Sequence, residues 1–299
     1  MKQPIRHHYI PRFLIRPFCD NQKEALYYDK HTKTSSVRAP EEIFMARNLY
    51  RDSINNEDNP VQIENDLSKF ENEASRIIAK LRKDDDILIS TEDEEKLRIF
   101  YAIMGFRSER TAQAFGDNAS EEMSAYYSFY QEDGNLTDFW KRNLGALVNC
   151  RSLREILDHP SIDDPIKLFM GRDAFGIFGI YPMVIERRGG EDFILGDSYP
   201  LVVEGVFPDG LSAPVYWVYP ISPSRALIYV ANGAEGAPIK VTGFEKDFFA
   251  KPRLQRDRKT LKVSLKKVYE KQVSNINQMI INASTEGLVF QKNTFHKYF

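Results

Sequence analysis

The sequence predicts an α+β protein, a helical middle region packed on a mostly antiparallel sheet from the carboxy-terminal half. Apolar residues in the middle of the chain recur at steps of three and four, the period of a helix face. After Gly171 the chain changes to β-branched and aromatic runs broken by Gly and Pro, the pattern of strands. The two kinds of segment are separated along the chain, as in α+β folds. With 299 residues, 42% of them hydrophobic, the chain can bury a substantial core. No internal repeat, low-complexity tract or long linker divides it. A single domain over 1–299 is therefore expected, helical over about 60–170 and sheet-rich over about 171–299.

Each element has a local reason. Pro11 suits the first turn of a short helix, where its missing N–H costs nothing. Ala25–Asp29 and Ser35–Arg38 are strands joined by a polar turn, a hairpin. Asn59-Pro60 supplies a cap and first position for a helix whose Leu67, Phe70, Ala74, Ile77 or Ile78, and Leu81 fall on one stripe. Thr91-Glu92-Asp93-Glu94 is a capping box with acidic residues at the positive end of the helix dipole. It opens a helix expected to run to about Phe115. Further helices are expected near 119–131, 136–149, 151–158 and 163–170. Phe175–Glu186, Phe193–Gly196, Val215–Tyr219 and Arg225–Val230 are expected to be strands of one sheet. Lys262–Ala283 returns to a helical pattern, and Gly287–Gln291 is a last strand.

Composition excludes several classes. Lys plus Arg total 41 against 43 for Asp plus Glu, so the net charge of −2 argues against a protein that coats nucleic acid, while leaving room for a local basic patch. The two cysteines, Cys19 and Cys150, form no disulfide framework and no CxxC metal pattern. The opening MKQPIRHHYIP has no apolar run, and no window approaches the roughly 18 apolar residues of a membrane span. A soluble, cytoplasmic protein with no membrane association is expected. G-x-S-x-G, Walker A and Rossmann glycine patterns are absent, so no nucleotide cofactor is expected.

The candidate site residues are few. His7 and His8, two of five histidines, stand beside Tyr9 and Pro11. In an extended segment adjacent side chains point to opposite faces. The pair is therefore ill placed to chelate one metal, and no HExxH or HxH supports a metal site. One of the two suits a buried histidine satisfied by backbone; the competing reading of the pair is a general acid/base role. Arg107 falls, at 100° per residue, inside the stripe of Leu97, Phe100, Met104, Thr111 and Phe115. An inward guanidinium must be paired or line a polar cavity, so Arg107 is either a structural ion-pair brace or an anion clamp. Asp197 follows the apolar run Phe193-Ile194-Leu195-Gly196, where an acid either caps a turn or serves a ligand; it is the expected partner of Arg107 or His8. Arg256, Lys259 and Lys262 belong to a basic run over 251–267, either a solvated loop and helix face or a track for a phosphate backbone. Asn277 is expected to face inward from its helix, as a structural amide or a ligand contact.

These residues also carry a resemblance. His8-Tyr9-Ile10-Pro11-Arg12-Phe13-Leu14-Ile15-Arg16-Pro17-Phe18 resembles the HYxPxxxLRxF-type start of a mostly microbial family, domain of unknown function 4238. Asn48-Leu49-Tyr50, Ile63-Glu64, Phe106-Arg107-Ser108, Phe193–Asp197, Pro220–Pro223 and Ile276-Asn277 are similar to later blocks of that family, in its order. Ser108-Glu109 stands where the family has Thr-Pro, and Asp197-Ser198-Tyr199-Pro200 is one residue longer than its Asp-x-Pro. The resemblance picks out His8, Arg107, Asp197 and Asn277 and implies no established activity. The leading expectation is a metal-independent nuclease or phosphodiesterase-like enzyme, with a microbial defence or toxin role suggested by the kind of family. In it His8 is the general acid/base, Asp197 orients it or acts as base, Arg107 stabilises phosphate charge, and nucleic acid or another phosphate-bearing ligand is the partner. The alternative is a non-enzymatic sensor or interaction module that binds a protein or an anionic ligand through the same pocket.

Overall fold

The structure, a computed structural model, describes residues 6–21, 23–108, 111–112, 136–171, 180–206, 212–231, 244 and 248–299. In chain order its main elements are β1 (Arg6–His8), α1 (Arg12–Ile15), β2 (Ala25–Asp29), β3 (Thr34–Arg38), β4 (Met45–Arg47), α2 (Gln62–Lys83), β5 (Ile87–Ser90) and α3 (Thr91–Phe106). There follow α4 (Leu136–Leu147), α5 (Leu153–Asp158), α6 (Asp164–Met170), β6 (Ile180–Arg187), β7 (Leu195–Gly196), β8 (Leu201–Val206), β9 (Ser212–Pro220) and β10 (Arg225–Ala231). The chain closes with β11 (Arg253–Leu254), β12 (Thr260–Val268), α7 (Glu270–Ala283), β13 (Gly287–Phe290) and α8 (Lys292–Phe295). The class is α+β, with sheets that are mostly antiparallel. Among the described residues no helix is long and apolar enough to cross a membrane.

The chain groups into two compact units. The first draws on Met1–Tyr9, Met45–Ser75 and Glu95–Ile177, the second on Ile10–Phe44, Arg76–Glu94 and Phe178–Phe299. The first is helical, with a two-stranded ladder in which β1 pairs antiparallel with β4, His7 opposite Ala46 and His8 opposite Met45. The stripe of α2 is buried as its spacing requires, Leu67, Phe70 and Ala74 within this unit. Leu97, Phe100 and Met104 of α3 and Phe139, Trp140, Leu144 and Leu147 of α4 are buried as well. Asn143, fully buried, joins α4 to the start of α6. Its Nδ2 donates to the Phe139 carbonyl at 2.9 Å and to Asp163 at 2.7 Å, and its Oδ1 accepts the Asp163 N–H at 2.9 Å.

The second unit is sheet-rich. One sheet runs β11-β12-β6-β10-β9-β8, with β5 also paired to β12; the other runs β3-β2-β13-β7. Among the described residues of this unit every ladder is antiparallel except β12 on β6, Ser264 opposite Met183 through Val268 opposite Arg187. Met183, Ile185, Val218 and Ile228 from the larger sheet share one core with Val273, Ile276 and Ile280 of α7 and with Leu288 and Phe290 of β13. Arg225 braces this unit: it donates to Glu186 at 2.7 Å and Asp85 at 2.8 Å, and to the α2-end carbonyls of Leu81 and Asp84 at 3.2 and 2.7 Å.

Several expectations are corrected. The helix expected over 262–283 begins only at Glu270, and Thr260–Val268 is a strand. Leu261, Leu265 and Val268 sit at steps of four and three, which imitates a helix stripe, but β5, β6 and β11 all hydrogen-bond this segment into the sheet. Phe193–Gly196 is a ladder only at Leu195–Gly196, and it joins the amino-terminal hairpin and β13 instead of the sheet of β6, β9 and β10. The cap of α3 is Ser90, whose hydroxyl accepts the Asp93 N–H at 2.9 Å; Thr91 is already helical. Gln62 is the first residue of α2, two places beyond Pro60. The helix expected to reach Phe115 ends at Phe106, and the Ser108 hydroxyl accepts the Thr111 N–H at 3.1 Å, starting a fresh turn. The helix expected over 119–131 and the start of the strand expected from Phe175 lie outside the described residues.

Candidate functional site

Arg107 directly follows α3, its N–H still bonded back to the Ile103 carbonyl at 2.8 Å, and is turned inward at 1% exposure. Its guanidinium is enclosed by the first unit. Nε donates to the Tyr50 hydroxyl at 3.1 Å, Nη1 to Glu71 Oε1 at 2.6 Å, and Nη2 to the backbone carbonyl of His8. The Tyr50 hydroxyl in turn donates to the Arg107 carbonyl at 2.9 Å, and the guanidinium lies 5.1 Å from the Tyr50 ring centre. Burial works against the charge of Arg107, but Tyr50 and Glu71 outweigh it and hold the guanidinium above its ordinary pKa. Burial raises the Tyr50 phenol, with Arg107 opposing, so the hydroxyl keeps its proton and donates. This arrangement fixes the β1 strand, the turn at Tyr50, α2 and α3 to one another through a buried cation. The carboxylate beside Arg107 is Glu71 of α2, whose side chain is 22% exposed.

His7 is the buried histidine satisfied by backbone. Its Nδ1 accepts the Tyr50 N–H at 2.8 Å, and its ring stacks on Tyr50 with centres 5.6 Å apart. His8 is half-buried and enters the Arg107 network through its carbonyl.

Asp197 and Asn277 stand in the second unit. Asp197 closes the turn between α7 and β13: its carboxylate accepts the Thr285 N–H at 3.1 Å, the Thr285 hydroxyl at 3.0 Å and the Gly287 N–H at 3.0 Å. Asn277 is fully buried. Its Oδ1 accepts the Ile194 N–H at 3.2 Å, and its Nδ2 donates to Glu191 at 3.2 Å and to the Asp192 carbonyl at 2.8 Å. Burial and the hydrogen bond to Glu191 push the Tyr298 phenol up to about 12. The basic run lies on the β11–β12 hairpin and not on a helix face. Arg256 and Lys259 are exposed at its turn, and Lys262 pairs with Asp86 at 2.6 Å. Among the described residues no group of His, Cys, Asp or Glu is placed to hold a metal ion.

The first unit also carries an open cleft of about 580 Å³ that the sequence did not single out. Its wall is organised around Asp66 of α2, only 6% exposed, which accepts from Gln62 Nε2 at 2.7 Å, Lys69 Nζ at 2.9 Å and Asn149 Nδ2 at 3.3 Å. Desolvation raises the Asp66 pKa, but the hydrogen bonds from Gln62, Lys69 and Asn149 outweigh it and the net shift is downward. Asn55 and Asn56 enter the wall from the turn before α2, both held by Asp52 at 2.9–3.1 Å. Arg142 and His159 complete it, Arg142 paired with Asp163 at 2.8 Å. Gly145 lines the cleft from the interior of α4, where glycine costs roughly 0.5–1 kcal/mol relative to alanine. A Cβ there would meet only Ile63, at 3.5 Å, so packing does not demand glycine; its missing side chain leaves open cleft.

Residues 6–294 match a family described as Protein of unknown function (DUF4238). No curated protein and no solved structure matches the chain.

Proposed function

As a chain that belongs to the DUF4238 family, whose description assigns no activity, this protein must be read from its geometry, and we propose that it is a binding module that takes a small polar ligand in the cleft of the first unit. The observation that carries this reading is the pre-set wall. Asp66, Asp52 and Asp163 hold the lining amides and cations in place, so a ligand meets donors and acceptors already oriented. Arg107 supports the reading from another direction. Each of its three guanidinium nitrogens is engaged by the protein, and a phosphate could reach it only by displacing Glu71. The test is amide chemical-shift mapping of the full chain against a library of small polar fragments. Shifts confined to residues 55–69, 142–149 and 159–161 support the reading, and shifts that avoid these segments overturn it.

One observation favours a second reading, a nuclease or phosphodiesterase-like enzyme. The β11–β12 hairpin exposes Arg253, Arg256, Arg258 and Lys259, a surface that suits a phosphate backbone. In that enzyme the half-buried His8 is the general acid/base. Filter binding of DNA and RNA at two salt concentrations separates the readings. Affinity that falls steeply with salt, with hydrolysis abolished in His8→Ala, would install the second reading; no affinity at either salt removes it.

A further inference from the structure

The cleft also defines the chemistry of its occupant. Its cations are neutralised from within: Lys69 by Asp66 at 2.9 Å and Arg142 by Asp163 at 2.8 Å. An anion would therefore gain little from them, because each positive charge already has a carboxylate at contact distance. Asn56 donates its amide nitrogen to Asp52, and Asn149 donates its own to Asp66 and to the Gly145 carbonyl at 3.0 Å. A carboxylate can only accept, so these contacts fix which end of each amide is nitrogen and leave both amide oxygens as acceptors. At His159 the Nδ1 accepts the Ser161 N–H at 3.2 Å, which places the proton of the neutral ring on Nε2 as a donor. Arg142 and Lys69 keep further N–H donors beyond their single carboxylate contacts.

The wall thus offers acceptors and donors together, with Lys69 and Arg142 each already matched by a carboxylate. A phosphate, most of whose oxygens only accept, would face two amide oxygens; an ammonium, which donates only, would face Arg142 and Lys69. A hydroxyl does both. The half-buried Gly145 and Ala146 provide apolar surface for the C–H face of a ring. We infer that the cleft binds a neutral polyhydroxylated ligand, a sugar of one or two rings, at a site formed by Asn56, Asp66, Arg142, Asn149 and His159 over the gap left by Gly145. This rests on the binding-module reading and specifies its ligand class.

The test uses the full chain and two classes of probe: glucose, galactose and maltose as neutral polyols, inorganic phosphate and AMP as anions. Saturation-transfer NMR and titration calorimetry are run on the wild type and on Gly145→Leu. That substitution puts a side chain on the cleft wall, its Cβ meets only ordinary contact with Ile63 and it improves helix propensity, so it is expected to fold, and a thermal melt checks this. The expected result is transfer to at least one neutral sugar, with a Kd that changes less than about twofold between low and high salt. In Gly145→Leu that binding is expected to be at least about tenfold weaker at an unchanged or raised Tm. Sugar binding that survives Gly145→Leu overturns the placement. Binding of phosphate or AMP but no sugar, lost in Gly145→Leu, overturns the ligand class and leaves the binding module standing. No binding of any probe, together with fragment shifts outside the cleft, brings down both.

Discussion

At Arg107 the chain commits a full positive charge to a site 1% exposed, and the neighbours that permit it come from three different segments: Tyr50, Glu71 and the His8 carbonyl. Removing the cation leaves a carboxylate, a hydroxyl and a carbonyl without their donor. Arg107→Ala is expected to destabilise the protein by about 3–5 kcal/mol, towards the lower end because water can reach Glu71. Urea unfolding of the variant measures this, and a loss below about 1 kcal/mol would mean that the network is not a brace. Asp66 gives a prediction with a sign in pH. Its carboxyl is held below the ordinary value of 3.8 by the hydrogen bonds from Gln62, Lys69 and Asn149. The unfolded chain therefore takes up this proton first as pH falls, and the contribution of Asp66 is complete above 3.8 and lost as pH falls through the lower folded value. The stability advantage of wild type over Asp66→Asn should be clear at about pH 7 and shrink at about pH 3. An advantage equal at both pH values would contradict the assignment. The inward direction of Arg107 was legible from helix periodicity alone. Its partner Glu71 was not, because pairing between α2 and α3 depends on how the two helices pack.

Among the elements, β7 shows how a short strand can carry a tight requirement. A Cβ added at Gly196 would lie 2.1 Å from Ser284 Oγ and 2.8 Å from Ile280 Cγ2, and both neighbours belong to the buried end of α7 and its cap. Gly196→Ala is expected to cost about 1–3 kcal/mol through overpacking. Adding Ser284→Ala should recover part of that, because the closest atom disappears; thermal melts of the single and double variants test it, and no recovery would place the strain at Ile280. The strands differ in how far the sequence disclosed them. β2, β3, β9 and β10 alternate or run apolar between turn residues, and their positions followed from that. β12 did not follow, since its Leu and Val fall at helical steps and its lysines read as a solvated face. Its strand character comes from three neighbouring strands, which no local window contains.

Across the whole chain, distant segments complete one another. In the second unit β13 lies between β2 and β7, with Gly287 opposite Asp29 and Leu288 opposite Gly196. The last strand is therefore interior to a sheet that begins near residue 25. A chain truncated after Ser284 loses β13 and leaves β2 and β7 with unpaired edges and the core without Leu288 and Phe290. Such a truncation is expected to abolish cooperative unfolding of the second unit, read by circular dichroism and differential scanning calorimetry, and a native-like transition would refute the dependence.

By itself the sequence determined the α+β class, the family, the stripe of α2, the inward faces of Arg107 and Asn277 and the hairpin of β2 and β3. All of these depend on local period, turn chemistry or motif order, which a linear chain displays. Tertiary structure decided the rest. It gave Arg107 the carboxylate of Glu71, set Asp197 to closing the turn before β13, and made the basic run a hairpin. It also gathered Asn56, Asp66, Gly145, Asn149 and His159 around one cleft. These residues lie up to about a hundred positions apart, and each is unremarkable in its own segment; only packing places their polar atoms within reach of one ligand.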